Sequence, residues 1–162
     1  MINGKAIELL NYRINQEEYS SRLYEYLSIC LDDLGYEVSP KLWKKYSQEE
    51  LEHAQWAKDY LLSFGIIPEL REIPSPYCDC TNLAHCIEES YKHEKTISEQ
   101  CNQMAIDALK MQDHMLYTLA IRYCKEQVEE MQKVQTLVDK LETYGRDKVG
   151  LIMLDNSLKE YL

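Results

Sequence analysis

The sequence predicts an all-α fold: a four-helix bundle with one long crossover connection and a short fifth helix at the C-terminal end. Three observations predict it. Only five Gly and four Pro occur among 162 residues, which leaves little material for turns and favours long helices. A three-and-four spacing of apolar or small residues recurs in four separate segments. One connection, around residues 67–80, is much longer than the others and holds three of the four prolines.

The first periodic series runs through Ile7, Leu10, Ile14, Glu17, Ser21, Tyr24, Ser28 and Leu31, and the second through Trp43, Tyr46, Glu50, His53, Ala57, Tyr60 and Phe64. The third contains Leu83, Ile87, Ser90, Glu94, Ile97, Cys101, Met104 and Ala108, and the fourth Leu116, Ala120, Tyr123, Gln127, Glu130, Val134, Leu137 and Leu141. Each series lines one face of a helix, and each face is expected to point into a bundle. The predicted helices cover about 4–33, 40–65, 82–110, 113–143 and 149–160, within a single domain over 1–162.

The punctuation agrees with these bounds. Leu34 to Val38 breaks the first helix, and Ser39 reads as an N-cap ahead of Pro40. Gly65 closes the second helix. Thr81 reads as the cap of the third, Gln112-Asp113 as a tight turn, and Gly145 as the end of the fourth. A short apolar helix carrying Leu151, Leu154 and Leu158 is expected after Gly150, and it needs a partner surface because it is too short to stand alone. The short connections make the first and second helices antiparallel, and likewise the third and fourth. The middle connection reaches about 45 Å when extended, the length of a helix of roughly 30 residues. It can run the length of the bundle and leave the second and third helices parallel, the one-crossover arrangement of ferritin-like bundles.

Composition narrows the function. The net charge is −10 and the pI about 4.9, which argues against non-specific binding to nucleic acid or to an anionic membrane surface and suits cationic partners. No apolar run is long enough to span a membrane, and Met1 to Ala6 lacks a secretory pattern. Cytoplasmic location is expected. Six cysteines, at 30, 78, 80, 86, 101 and 124, lack the close clustering of a small stapled domain, so reduced thiols are expected. Cys78-Asp79-Cys80 with His85 and Cys86 does not have a standard zinc spacing and reads as surface thiols.

The chemistry lies in the middle of the seams. Glu17, Glu50, His53, Glu94, Gln127 and Glu130 all fall near the mid-height of helices of similar length. Four buried carboxylates at one level are costly unless they take up protons or bind cations. Two divalent ions carry a charge that matches the four carboxylates. Glu50 and His53 are three residues apart and can reach one metal. A mixed carboxylate and imidazole layer without thiolates suits iron or manganese rather than structural zinc. The bland alternative is a satisfied hydrogen-bond network, which would have to arise on four helices at once.

On these residues the chain resembles bacterial non-haem ferritin, from about Ile7 to Tyr161. The matching stretches are Asn15 to Ser21, Gln48 to Ala54, Tyr91 to Glu94, Glu126 to Glu130 and Gly150 to Asp155. The resemblance implies one iron held by Glu17, Glu50 and His53, with Glu50 bridging to a second iron held by Glu94 and Glu130. Gln127 would lie beside the pair. Tyr24 would hydrogen-bond to a ligand carboxylate and donate an electron; its alternative is a plain seam tyrosine. Glu49, Glu126 and Glu129 match the acids of a third, looser iron site, or else form a solvated acidic face.

The resemblance further implies ferroxidase activity on Fe²⁺ with dioxygen or peroxide as oxidant, deposition of a ferric mineral, and a homo-oligomeric shell of twenty-four subunits. Leu51 stands where bacterioferritin has its haem-ligating Met, so no haem is expected. Gln127-x-x-Glu130 replaces the second Glu-x-x-His of bacterioferritin and of di-iron oxygenases, and no rubrerythrin-type Cys-x-x-Cys occurs. Arg122 departs from the family, which usually has Trp there near the iron. A non-catalytic cage or scaffold subunit is the rival reading.

Overall fold

The computed structural model describes residues 2–162. Five α-helices follow one another: α1 Gly4–Asp33, α2 Ser39–Ser63, α3 Leu83–Lys110, α4 His114–Tyr144 and α5 Lys148–Ser157. A 3₁₀ turn over Leu158–Tyr161 ends the chain. The seam residues expected from the periodicity are buried with few exceptions; Ile7, Tyr60 and Phe64 lie partly buried at the ends.

α1 packs chiefly along α2, and α3 along α4. The crossover after Gly65 runs beside α1. Asn11 Oδ1 accepts from the Glu69 amide at 3.0 Å, and Asn15 Nδ2 donates to the Glu72 carbonyl at 3.0 Å. Arg71 adds a two-pronged contact to Glu8. These side chains satisfy backbone groups that a strand without neighbours would leave unpaired. The core divides into two apolar clusters. One contains Leu27, Leu31, Leu42, Trp43, Ile87, Leu141 and, from the C-terminal end, Leu151, Leu154 and Leu158. The other contains Leu10, Ile14, Leu61, Ile97, Leu116 and Tyr123. The polar seam residues lie between them.

Several local expectations change. Ser39 is not a side-chain cap. It is the first residue of α2, the cap position falls on Val38, and Val38 makes no side-chain cap. The capping acceptor comes from elsewhere in the chain: the buried carboxylate of Asp155 takes the amides of Glu37 and Val38 at 3.1 Å and of Ser39 at 2.7 Å. An anion at a helix N-terminus satisfies free N–H groups and complements the dipole. The cap of α3 is Asn82 rather than Thr81, its Oδ1 accepting from the His85 amide at 3.0 Å; Thr81 Oγ1 bonds the His85 ring instead. α5 begins before Gly150, with Asp147 as its cap. A Cβ on Gly150 would collide with the Tyr144 carbonyl and crowd Asp147, so close approach to the end of α4 requires glycine. The partner surface of α5 is the bundle end, where Leu151, Leu154 and Leu158 are buried while Ile152 and Met153 face outward.

The expectation of six reduced thiols is also corrected: Cys80 and Cys86 form a disulfide with Cα atoms 5.7 Å apart, and Cys30, Cys78, Cys101 and Cys124 are free. Cys80 ends the crossover and Cys86 lies in the first turn of α3, so the helix start brings them together although their sequence spacing carries no framework signal. Among the described residues no helix is long and apolar enough to cross a membrane.

Candidate metal centre

α1 contributes Glu17 and Tyr24, α2 Glu50 and His53, α3 Glu94, and α4 Gln127 and Glu130; all seven are buried. Three overlapping groups have ligand atoms within 4.8 Å of one another: Glu17, Glu50 and His53; Glu50, Glu94 and Glu130; and His53, Glu126 and Glu130. Glu50 belongs to the first two groups and lies between them. His53 Nδ1 is 3.1 Å from Glu50 Oε2 and 3.9 Å from Glu17 Oε2, while Nε2 is 3.2 Å from Glu126 Oε1.

The carboxylates are held by neighbours. Tyr24 donates a short hydrogen bond to Glu94 Oε1, and Gln127 Nε2 donates to Glu94 Oε2 at 3.0 Å and to Ser98 Oγ at 3.0 Å. Both Glu94 oxygens are thereby oriented, as partners behind a metal ligand usually do. Tyr123 donates to the His53 carbonyl. In contrast, Glu17 Oε2 is buried with no hydrogen-bond partner. A buried carboxylate oxygen without a donor is expensive; a proton shared with the neighbouring Glu50 carboxyl would satisfy it, and so would a bound cation. The donor set of carboxylates with one imidazole fits hard or borderline divalent ions.

Electrostatics agree. Burial pushes the Glu50 carboxyl well above the usual carboxylate range, and the charges of Glu17, Glu94 and Glu130 add to the shift. Burial also raises Glu130, an effect that Lys133 opposes. Burial raises the Tyr24 phenol, with Glu94 and Glu50 contributing, so it stays a proton donor.

The charge balance differs from the sequence expectation of two divalent ions matched by four carboxylates alone. Two resident cations were missed. Arg13 Nε lies 3.1 Å from Glu17 Oε1, and Lys133 Nζ lies 2.6 Å from Glu130 Oε2. Arg13 is wholly buried, and its guanidinium also reaches Gln100 Oε1 at 2.8 Å and Cys101 Sγ at 3.7 Å. Both signals were present: each base stands three or four residues from its glutamate on one helix, the spacing at which side chains meet.

The remaining acids lie outside the buried layer. Glu49 bonds Lys133, Glu126 bonds His53, and Glu129 is exposed. Arg122 stacks on Trp56, its Cζ 3.8 Å from the ring centroid, and the Trp56 ring is 4.9 Å from the His53 ring. A tryptophan therefore does adjoin the centre, supplied by α2; its position three residues after His53 is a signal that was overlooked. His93, half-buried behind Tyr24 and bonded to Ser20 Oγ at 2.7 Å, was also missed.

A four-helix bundle with one long crossover, enclosing a carboxylate and histidine layer at mid-height, defines the ferritin-like class of metal-binding proteins. Comparison with known proteins places the chain within it. The ferritin-like domain of the ferritin family matches residues 7–144. Bacterial non-heme ferritin of Escherichia coli O6:H1 is 32% identical over 158 residues, covering 98% of this chain and 96% of its own. A probable bacterial non-heme ferritin-like protein of Haemophilus influenzae is 30% identical, with the same coverage. Among solved structures, an open-pore ferritin from the hyperthermophilic archaeon Archaeoglobus fulgidus superposes with a TM-score of 0.92 at 30% identity, covering 98% of this chain and 97% of that one. The chain belongs to the ferritin family.

Proposed function

We propose that the protein stores iron and acts as a ferroxidase, with the whole chain, 1–162, serving as one ferritin-like domain. The observation that carries this reading is the pair of buried ligand groups sharing Glu50. Ferrous iron is the substrate. Glu17, Glu50 and His53 bind one Fe²⁺, and Glu50, Glu94 and Glu130 bind the other. Each iron gives up one electron, and both electrons pass to a dioxygen or peroxide molecule. The carboxylates favour the more highly charged ferric product. Gln127 and Tyr24 fix the direction of Glu94, and Tyr24 is the nearest phenol for a further electron.

Glu49, Glu126 and Glu129 provide acids around the outward side of the pair. The acidic surface attracts cations, and the ferric product collects inside a cage of about twenty-four copies, by analogy with the family's closed symmetric shells. Neither haem nor a nucleic-acid or membrane partner enters the proposal, and the cytoplasm is its setting.

The test is aerobic Fe²⁺ oxidation followed optically. Wild-type protein is expected to accelerate it, and Glu50→Ala to lose the fast phase while remaining folded. An equal rate in wild type and variant overturns the ferroxidase reading and leaves a metal-binding scaffold.

A further inference from the structure

We propose that Lys133 is a tethered cation occupying the place beside the two-metal centre where a third metal ion would otherwise sit, so that this chain holds two ions there and not three. The inference rests on the two-metal reading of the centre. The Lys133 ammonium lies between two carboxylates: it is 2.6 Å from Glu130 Oε2 and donates to Glu49 Oε2 at 3.2 Å. The contact with Glu130 Oε2 is a close ion pair between neighbours on one helix. The face of Tyr46 closes the third side, with Nζ 4.1 Å from the ring centroid, a favourable placement for a cation. Lys133 is three-quarters covered and Glu130 almost fully so, so the positive charge is largely shielded from solvent and held in place.

The surroundings are those of a cation site. Glu126 and Glu130, with His53, lie close enough to share an ion, and Lys133 links Glu130 to Glu49. A hollow lined by Tyr46, Glu129 and Tyr161 has Lys133 in its wall. An ion approaching there must displace an ammonium already paired with both Glu49 and Glu130. A monovalent side chain cannot leave with the mineral or be oxidised, so it stays paired with Glu49 and with one oxygen of Glu130, while Glu130 keeps its other oxygen for the second ion of the pair.

The experiment counts Zn²⁺, a redox-inert divalent probe, bound to metal-free protein by equilibrium dialysis, and locates it by anomalous diffraction from soaked crystals. Wild type is expected to hold a pair of tightly bound zinc ions per chain. Lys133→Met is expected to gain one more, with a new peak bounded by Glu49, Glu126 and Glu130. Lys133→Gln, which keeps a polar end beside Tyr46, is expected to gain it too. Lys133→Arg is expected to keep the wild-type count, and adding Glu49→Gln to Lys133→Met to remove the extra ion. An unchanged count with no new peak in both neutral variants, or a third ion already beside Lys133 in wild type, overturns the inference alone. Wild type lacking the pair overturns the two-metal reading and this inference with it.

Discussion

Arg13 Nε lies 3.1 Å from Glu17 Oε1, with both side chains 1% exposed, so one of the four central carboxylates has a counter-charge before any metal arrives. Glu17 presents its other oxygen, Oε2, without a hydrogen-bond partner. Arg13 therefore leaves one oxygen free for the ligand role and partly offsets the cost of burying the carboxylate.

Removing that guanidinium leaves Glu17 buried and unpaired, a change that costs about 3–5 kcal/mol. Arg13→Met is expected to lower the melting temperature of metal-free protein sharply. Zinc then meets a more negative site, so its addition is expected to raise the melting temperature more in the variant than in wild type. Equal zinc-induced shifts would show that Arg13 does not act on the metal centre.

The raised carboxyl pKa of Glu50 gives a pH dependence of definite sign. Between the ordinary value of 4.5 and its higher folded value, the native state holds a proton that the unfolded chain has lost. Stability of the metal-free protein therefore falls as pH rises through that interval. Glu130, shifted the same way, adds to the slope. Thermal unfolding across this range is expected to show the decline in wild type and a flatter profile in Glu50→Gln. A metal-free protein that becomes steadily more stable toward neutral pH would contradict the burial of these groups together.

Tyr24 holds Glu94 in place, so its expected effect on metal binding runs through that carboxylate. Tyr24→Phe removes the donor to Oε1 and leaves the Gln127 bond to Oε2. Metal affinity is expected to drop about 10- to 100-fold, the usual effect of removing a partner behind a ligand, with little change in helix content. Isothermal titration with zinc reads this directly, and wild-type affinity in the variant would reduce Tyr24 to a packing residue.

Asp155 ties the last helix to the turn before α2 through three backbone amides. Asp155→Ala is expected to cost about 2–3 kcal/mol, since charge-assisted hydrogen bonds are lost and the amides are left buried. Asp155→Asn, which retains acceptor oxygen but no charge, should lose less. Chemical denaturation of the three proteins checks the order.

The sequence made the bundle legible because its helices are long and their periodicity is strong. Leu10, Ile14, Ile87, Ile97, Val134 and Leu137 could be placed inside from spacing alone, and the length of the 67–80 connection determined the topology. The buried carboxylate layer was legible for the same reason: Glu17, Glu50, Glu94 and Glu130 interrupt apolar faces at equal depth. What escaped depended on long-range partners. The Asp155 carboxylate caps residues more than a hundred positions away, and no local pattern at Ser39 reveals that. Arg13, Lys133 and Trp56 stand beside the seam rather than in it, so the seam's periodicity does not single them out. Cys80 and Cys86 meet because the crossover turns into α3 between them, a feature of chain path rather than of cysteine spacing.

The proposed function requires that the four glutamates and His53 form one two-iron site. Crystals soaked anaerobically in Fe²⁺ and measured on both sides of the iron absorption edge test it most directly. Two iron peaks about 3.5–4 Å apart are expected, one among Glu17, Glu50 and His53 and the other among Glu50, Glu94 and Glu130. Strong iron peaks elsewhere on the protein, with none inside this layer, would contradict it.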